Sequence, residues 1–208
     1  MRFNPKCTLC PRLTEYLGQM RQSHPHYHNA PVAAFGDPNP ELLVVGLAPG
    51  AHGANATGRP FTGDFAGLLL YRALFAAGFS TAPQSHSGDD LRLTGCRITN
   101  AVKCLPPANK PTTAEADICN VYLKAELTAL EPGSVIMALG TIAHRAVLKA
   151  TGLKLSAYRF SHAAVHRLSE ELTLVDSYHC SRYNTQTRRL TEDMFNAVLK
   201  KVRQLTLN

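Results

Sequence analysis

Apolar runs of strand length alternate along this chain with longer stretches whose apolar residues recur at helical spacing. Leu42-Leu-Val-Val45 is continuously apolar and short, the pattern of a strand buried on both faces. Phe65 to about Ala77 carries Leu68, Leu69, Leu70, Leu74 and Phe75 at helical spacing, and Gly78 ends it. Arg97-Ile-Thr-Asn-Ala-Val-Lys-Cys104 reads as a second strand, broken by Leu105-Pro-Pro-Ala-Asn-Lys-Pro111. A helix is predicted over Thr113–Leu130, with Cys119, Tyr122, Leu123, Leu127 and Leu130 in one stripe. Ser134–Gly140 is a third strand and Thr141–Thr151 its helix. Leu153–Arg167 reads as a turn and a short strand, and Glu171–Asp176 as the fourth strand. The last helix, Thr191–Arg203, turns Phe195, Val198, Leu199 and Val202 inward. Near the start, Arg12–Arg21 forms a shorter helix on Leu13, Leu17 and Met20. Alternation of this kind predicts an α/β fold: three αβα layers around a central, mainly parallel four-stranded sheet.

Three strand ends then gather at one edge of the sheet: residues 46–64, 99–104 and 177–184. In open α/β sheets ligands bind outside the carboxyl ends of the strands. The segment Gly46–Asp64 joins a strand to a helix through nineteen residues that include five glycines and two prolines. Loops of that length are usually functional, and glycines let backbone N–H groups approach a ligand. Asp64 suits two roles, cap of the following helix or carboxylate of a site. Residues 80–90 read as a polar surface loop, and His24-Pro-His-Tyr-His28 as a solvated loop, its spacing fitting no standard metal frame.

With 208 residues, 45% hydrophobic and 18% charged, the chain suits one domain, 1–208, with a full core. A net charge of +7 favours an anionic partner, most simply nucleic acid. The sequence has no apolar run of membrane-spanning length and no signal-peptide pattern, so a cytoplasmic protein is expected. Disulfides are rare there, and six cysteines need another explanation. Cys7 and Cys10 form a C-x-x-C pair; Cys104 and Cys119 lie at a strand end and inside the next helix. Four such thiols suit a tetrahedral metal or an iron–sulfur cluster, which spacing alone does not separate, and buried core thiols are the bland alternative. Cys96 and Cys180 read as structural.

Candidate polar groups stand at the converging strand ends. Asp64 can hold or deprotonate a water. Asn100 offers the donor–acceptor pair that an imide edge such as uracil N3–H and O4 requires, although it also suits a strand end. His179 can donate to an oxygen that gains negative charge, although a lone histidine after a strand is commonly structural. Phe61 offers a ring for stacking or for the core.

The motifs Gly46-Leu-Ala-Pro-Gly-Ala-His-Gly with Thr57-Gly-Arg-Pro-Phe-Thr-Gly-Asp64, Thr99-Asn-Ala-Val-Lys-Cys-Leu-Pro-Pro107 and His179-Cys-Ser-Arg-Tyr-Asn184 resemble the uracil-DNA glycosylase superfamily over nearly the whole chain. The resemblance is to its family 5, or type B. Family 4 carries a glutamate where this chain has Leu47, and the Arg-Arg-Ile-His loop of a covalently trapping relative is absent. The resemblance implies a monofunctional DNA glycosylase that removes uracil and other deaminated bases such as hypoxanthine, leaving an abasic site. It implies a [4Fe-4S] cluster on Cys7, Cys10, Cys104 and Cys119. It implies a catalytic set of Asp64 for water, Asn100 for the base edge and His179 for the base's O2, with Phe61 stacking on the base. Gly50, Ala51 and His52 would line the base; Gly53, Arg59, Ser181, Arg182, Tyr183 and Asn184 would meet DNA. A monomer acting on DNA that contains uracil or deaminated bases is expected. Cys180 and Ala56 depart from the family's usual proline and arginine, and Ala56 is given no role. The alternatives are a non-catalytic iron–sulfur DNA-binding protein of the same fold and a phosphate-handling α/β enzyme. The second lacks a Gly-Lys-Ser/Thr ending and a Gly-x-Gly-x-x-Gly motif.

Overall fold

The computed structural model describes residues 2–207. Its strands are β1 (Phe35–Gly36), β2 (Leu42–Gly46), β3 (Cys96–Asn100), β4 (Val135–Leu139), β5 (Val165–Arg167) and β6 (Thr173–Ser177). Its α-helices are α1 (Pro11–Ser23), α2 (Ala54–Thr57), α3 (Phe65–Ala76), α4 (Thr113–Thr128), α5 (Thr141–Ala150), α6 (Arg182–Gln186) and α7 (Glu192–Thr206). The strands form one sheet in the order β1-β3-β2-β4-β6-β5. The four inner strands run parallel and are the four expected from the sequence. The sheet is nonetheless six-stranded, because β1 and β5 add short antiparallel edges. Two or three residues are too few to show a strand's two-residue period, so β1 leaves no strand signature among the prolines of residues 31–41.

Side chains alternate across the inner strands, and both faces are apolar. Leu42, Val44, Ile98, Met137 and Val175 pack with Leu70 and Leu74 of α3 and Phe195, Val198 and Val202 of α7. Leu43, Val45, Ile136, Ala138 and Leu174 pack with Leu123 of α4 and Val147 of α5. Helices on both faces produce the three layers. Helices α3, α4 and α7 start where a side chain accepts an otherwise unpaired N–H: Asp64 for α3, Thr112 in a reciprocal capping box with Glu115 for α4, and Thr191 for α7. In α3, Leu69, Leu70 and Leu74 are buried, whereas Leu68 and Phe75 of the expected apolar set are exposed.

The connection after β2 leads to β3 on one side and those after β4 lead to β5 and β6 on the other, so the connections from these two neighbouring strands leave in opposite directions. That is the switch point at which a parallel sheet opens a crevice. β3 stops at Asn100, four residues earlier than expected. Ala101 and Val102 still donate to the Gly46 and Leu47 carbonyls at 2.9 and 3.0 Å. The chain then bends so that the Lys103 N–H meets Cys119 Sγ at 3.3 Å. The Lys103 ammonium turns inward to Glu126 at 2.9 Å and to the Thr99 hydroxyl.

Candidate active site

Gly46 ends β2, and the site grows from its missing side chain. A Cβ there would stand 2.4 Å from Asn100 Oδ1 and 2.6 Å from the Phe61 ring. Only glycine lets the amide and the ring meet over the strand end. Phe61 sits in the left-handed region (φ 53°), where a non-glycine residue is held only by its surroundings. One such restraint is Gly67 in the first turn of α3, whose Cβ would fall 1.8 Å from the Phe61 carbonyl oxygen.

Asp64 performs both roles open to it. Its Oδ1 accepts the Gly67 N–H at 2.9 Å and caps α3. Its Oδ2 faces the glycine loop, 2.5 Å from where a Cβ of Gly53 would lie and 3.4 Å from that of Gly50. Burial raises its pKa above the ordinary 3.8, against the N–H groups of Gly67 and Ala66, which lower it. The carboxylate is therefore poorly solvated and holds a proton more strongly than a free aspartate does.

These groups open on a cleft of about 1080 Å³ at the switch point. Asn100 lies in its wall, 3% exposed, with no partner for Oδ1 among the described residues. An amide oxygen buried without a partner costs roughly 1–3 kcal/mol. His179, two residues past β6, stacks on Phe61 with ring centroids 5.9 Å apart and planes inclined by 29°. Burial pushes its pKa down to about 4, so the ring is neutral at pH 7. Gly50, Ala51, His52 and Gly53 line the opposite wall. His52 Nδ1 pairs with the Tyr27 hydroxyl at 3.1 Å, and the His24 ring packs on both. The stretch read as a solvated loop thus braces the glycine loop. It does so through backbone as well, His28 and Asn29 donating to the Ala56 and Asn55 carbonyls.

The expected loop after β6 contains α6, which was not foreseen because five residues show no helical period. Ser181 caps it, and the Asn184 amide donates back to the His179 carbonyl at 2.8 Å, tying the helix to the histidine. Ser181 and Arg182 line the cleft, and the Arg182 guanidinium lies over the Phe65 ring at 5.2 Å. Tyr183 projects, 71% exposed. Arg59 does not reach outward as a DNA contact would. Its guanidinium lies over Phe35, bonds the Ser85 hydroxyl at 3.0 Å and pairs with Asp89. Asp89 also accepts the His86 N–H, and this clasp holds Ser85 and His86 in the cleft wall. Those two residues, and Asn109 (φ 56°), were missed because nothing in a polar loop announces a partner distant in sequence.

Cys7, Cys10, Cys104 and Cys119 converge between α1, the end of β3 and α4, against Leu13, Val102 and Tyr122. Burial pushes Cys10 up to about 11 and Cys104 up to about 12, and the thiols reinforce this by mutual repulsion. They ionise together only if cations take them. The donor set is all sulfur, which fits a tetrahedral zinc or an iron–sulfur cluster. Cys96 and Cys180 are fully buried in the apolar core.

Residues 33–203 match the family model of the Uracil DNA glycosylase superfamily. The chain is 48% identical to the type-5 uracil-DNA glycosylase of Thermus thermophilus, over 96% of this chain and 93% of that one. It is 42% identical to the type-5 uracil-DNA glycosylase of Pyrobaculum aerophilum, over 94% and 87%. A type-4 uracil-DNA glycosylase of Archaeoglobus fulgidus is 31% identical over 80% of this chain and 79% of its own length. The chain that builds this glycine-walled cleft at the sheet's switch point thus belongs to the uracil-DNA glycosylase superfamily, in its type-5 family.

Proposed function

We propose that the cleft hydrolyses the N-glycosidic bond of uracil in DNA after the nucleotide has left the stack, releasing the base and leaving an abasic site. The observation that carries this reading is the buried, unpartnered Oδ1 of Asn100 beside the Phe61 ring. A flipped uracil stacked on Phe61 satisfies that oxygen with its N3–H, and the Asn100 amide N–H donates to O4. Cytosine offers no hydrogen at N3 and would leave the oxygen unpaired, so the same atom discriminates.

As the bond to C1′ lengthens, the sugar becomes cationic and the base anionic. His179 is neutral and retains an N–H, which it donates to the base's O2 as charge gathers there. A neutral donor suits this step, since it stabilises the anion without having to protonate it. Asp64 opposes the anion across the cleft, favours the cationic sugar and orients the water that adds to C1′. Water is the nucleophile, so no lyase step follows.

Hypoxanthine presents the same paired carbonyl and N–H on its six-membered ring, and the cleft is roomy. We infer that deaminated purines are substrates as well, in keeping with Leu47 in place of a carboxylate. Arg182, Ser181, Tyr183 and Asn184 on α6, with Gly53 opposite, flank the mouth and would grip the duplex around the vacated site, the exposed Tyr183 ring filling the gap. The net charge of +7 supports phosphate contact. Arg59 contributes indirectly, by holding the wall at residues 85–89.

Cys7, Cys10, Cys104 and Cys119 would hold a [4Fe-4S] cluster, which when bound staples the N-terminal segment to the β3–α4 connection. None of the six cysteines is in a disulfide, which suits a reducing cytoplasm.

Duplexes carrying a single uracil or hypoxanthine, incubated with the protein and cleaved with alkali, test the reading. Strand breaks at the lesion are expected. Tight binding without base release would instead favour a non-catalytic DNA-binding protein on the same fold.

A further inference from the structure

Asp176, near the end of β6 and three residues before His179, is fully buried and accepts from two histidines. His144 Nδ1 of α5 lies 2.8 Å from its Oδ1, and His166 Nε2 of β5 lies 3.0 Å from its Oδ2. The other nitrogen of His144, Nε2, lies 2.9 Å from the carbonyl oxygen of Tyr158. Both ring nitrogens of His144 therefore face oxygens that accept, and a neutral imidazole has one N–H to give. With Asp176 ionised, the arrangement closes only with a proton on each nitrogen.

We propose that Asp176 is a positioning residue for His179: it holds His144 as an imidazolium and so locks α5, β5 and the end of β6 into the register that aims His179 at the base. The inference rests on the reading of His179 given above.

The mechanical link is short. Gly140, which caps α5, donates to the Ser177 carbonyl at 2.8 Å, and its Cα approaches His179, a Cβ there falling 3.6 Å from that of His179. Asp176 itself donates to the Ala164 carbonyl and accepts from the Ala163 N–H. Tyr178, between Asp176 and His179, donates its N–H to His162 Nδ1 and stacks on that ring at 5.0 Å. A shift of the carboxylate thus moves the segment that carries His179.

The groups that face His144 are few. Asp176 comes from β6 and His166 from β5, its ring centroid 5.6 Å away. The segment after α5 supplies the Tyr158 carbonyl and the edge-on Phe160 ring. Arg145 on α5 opposes the positive charge weakly. Burial alone would favour the neutral ring, but the hydrogen bond and charge of Asp176 outweigh it, and the pKa is raised above 6.5. The three ligand atoms lie within 4.8 Å of one another, close enough for a metal ion. Each imidazole nitrogen already sits at hydrogen-bond distance from its own carboxylate oxygen, however, and an ion would displace those bonds rather than join them.

Two measurements on the intact protein test the proposal. Nitrogen NMR of the histidine rings should show both His144 nitrogens protonated at pH 7 and unmoved by added zinc. A singly protonated His144, or a zinc-dependent change at His144 and His166, would overturn it. Single-turnover uracil release by Asp176→Asn, which keeps the side-chain volume, should fall roughly 10- to 100-fold with duplex affinity unchanged, the scale of a sub-ångström misplacement. The wild-type rate should fall towards that of Asp176→Asn as pH rises through the His144 pKa. Parallel pH profiles would reject the inference while leaving the functional reading intact. An inactive wild-type protein would reject the reading of His179 itself.

Discussion

Asp64 Oδ2 occupies the space that a side chain on Gly53 would fill: a Cβ there would lie 2.5 Å from it. The carboxylate and the glycine loop are thus fitted to one another. Gly53→Ala should push the whole Asp64 side chain off its position and weaken the α3 cap with it, because the added Cβ would also lie 2.9 Å from Asp64 Cβ and Cγ. A displacement of this kind costs on the order of 100-fold in turnover. Asp64→Asn should lose as much or more while still binding uracil-containing duplex. A wild-type single-turnover rate in either variant would remove Asp64 from the chemistry.

Asn100 is expected to trade stability for recognition. Its unpartnered oxygen destabilises the free protein, so Asn100→Ala should unfold at the same or a higher denaturant concentration. Uracil release should fall at least about 100-fold, because the base edge is no longer read. Loss of stability together with unchanged activity would show that the amide serves the strand end instead.

The acid side of the pH profile has two sources. Activity should decline as pH falls through the raised pKa of Asp64, with the limb above pH 3.8, and the limb should be absent from the residual activity of Asp64→Asn. Stability should decline over a different window. His179 has a folded pKa of about 4 against an ordinary 6.5, so the unfolded chain binds its proton first. Its contribution is present above pH 6.5 and is lost as pH falls towards about 4. Denaturation midpoints of wild type and His179→Gln across that range should converge at low pH.

Arg59 and Arg182 should separate in their salt dependence. Arg59 is already paired with Asp89, so Arg59→Ala should leave the slope of log affinity against log salt unchanged and loosen residues 85–89. Arg182→Ala should reduce that slope by about one, as for a lost phosphate contact. A reversed result would make Arg59 the phosphate ligand.

The cluster proposal predicts a brown protein with broad absorbance near ~400 nm from thiolate-to-iron charge transfer. Cys104→Ser should lower iron content and weaken the link between α1 and α4, seen as faster proteolysis of the N-terminal segment. A colourless protein with one zinc per chain would contradict it.

Sequence patterning by itself determined the parallel core, because strands buried on both faces must be continuously apolar and their helices must carry a stripe. Leu42–Val45 and the Phe195–Val202 stripe of α7 must leave water, and a parallel sheet covered on both faces buries them. Motif resemblance also singled out Asp64, Asn100, His179 and four cysteines as candidates, and the structure brings the first three to one cleft and the four thiols together. Tertiary structure alone decided the rest. It ended β3 at Asn100 so that Cys104 turns towards Cys119. It spent Arg59 on Asp89, and made the His24–His28 stretch a brace for the glycine loop. It joined His144, His166 and Asp176 from three separate elements. Each of these depends on which distant group comes within about 3 Å, and hydrophobic periodicity records burial, not the identity of the neighbour.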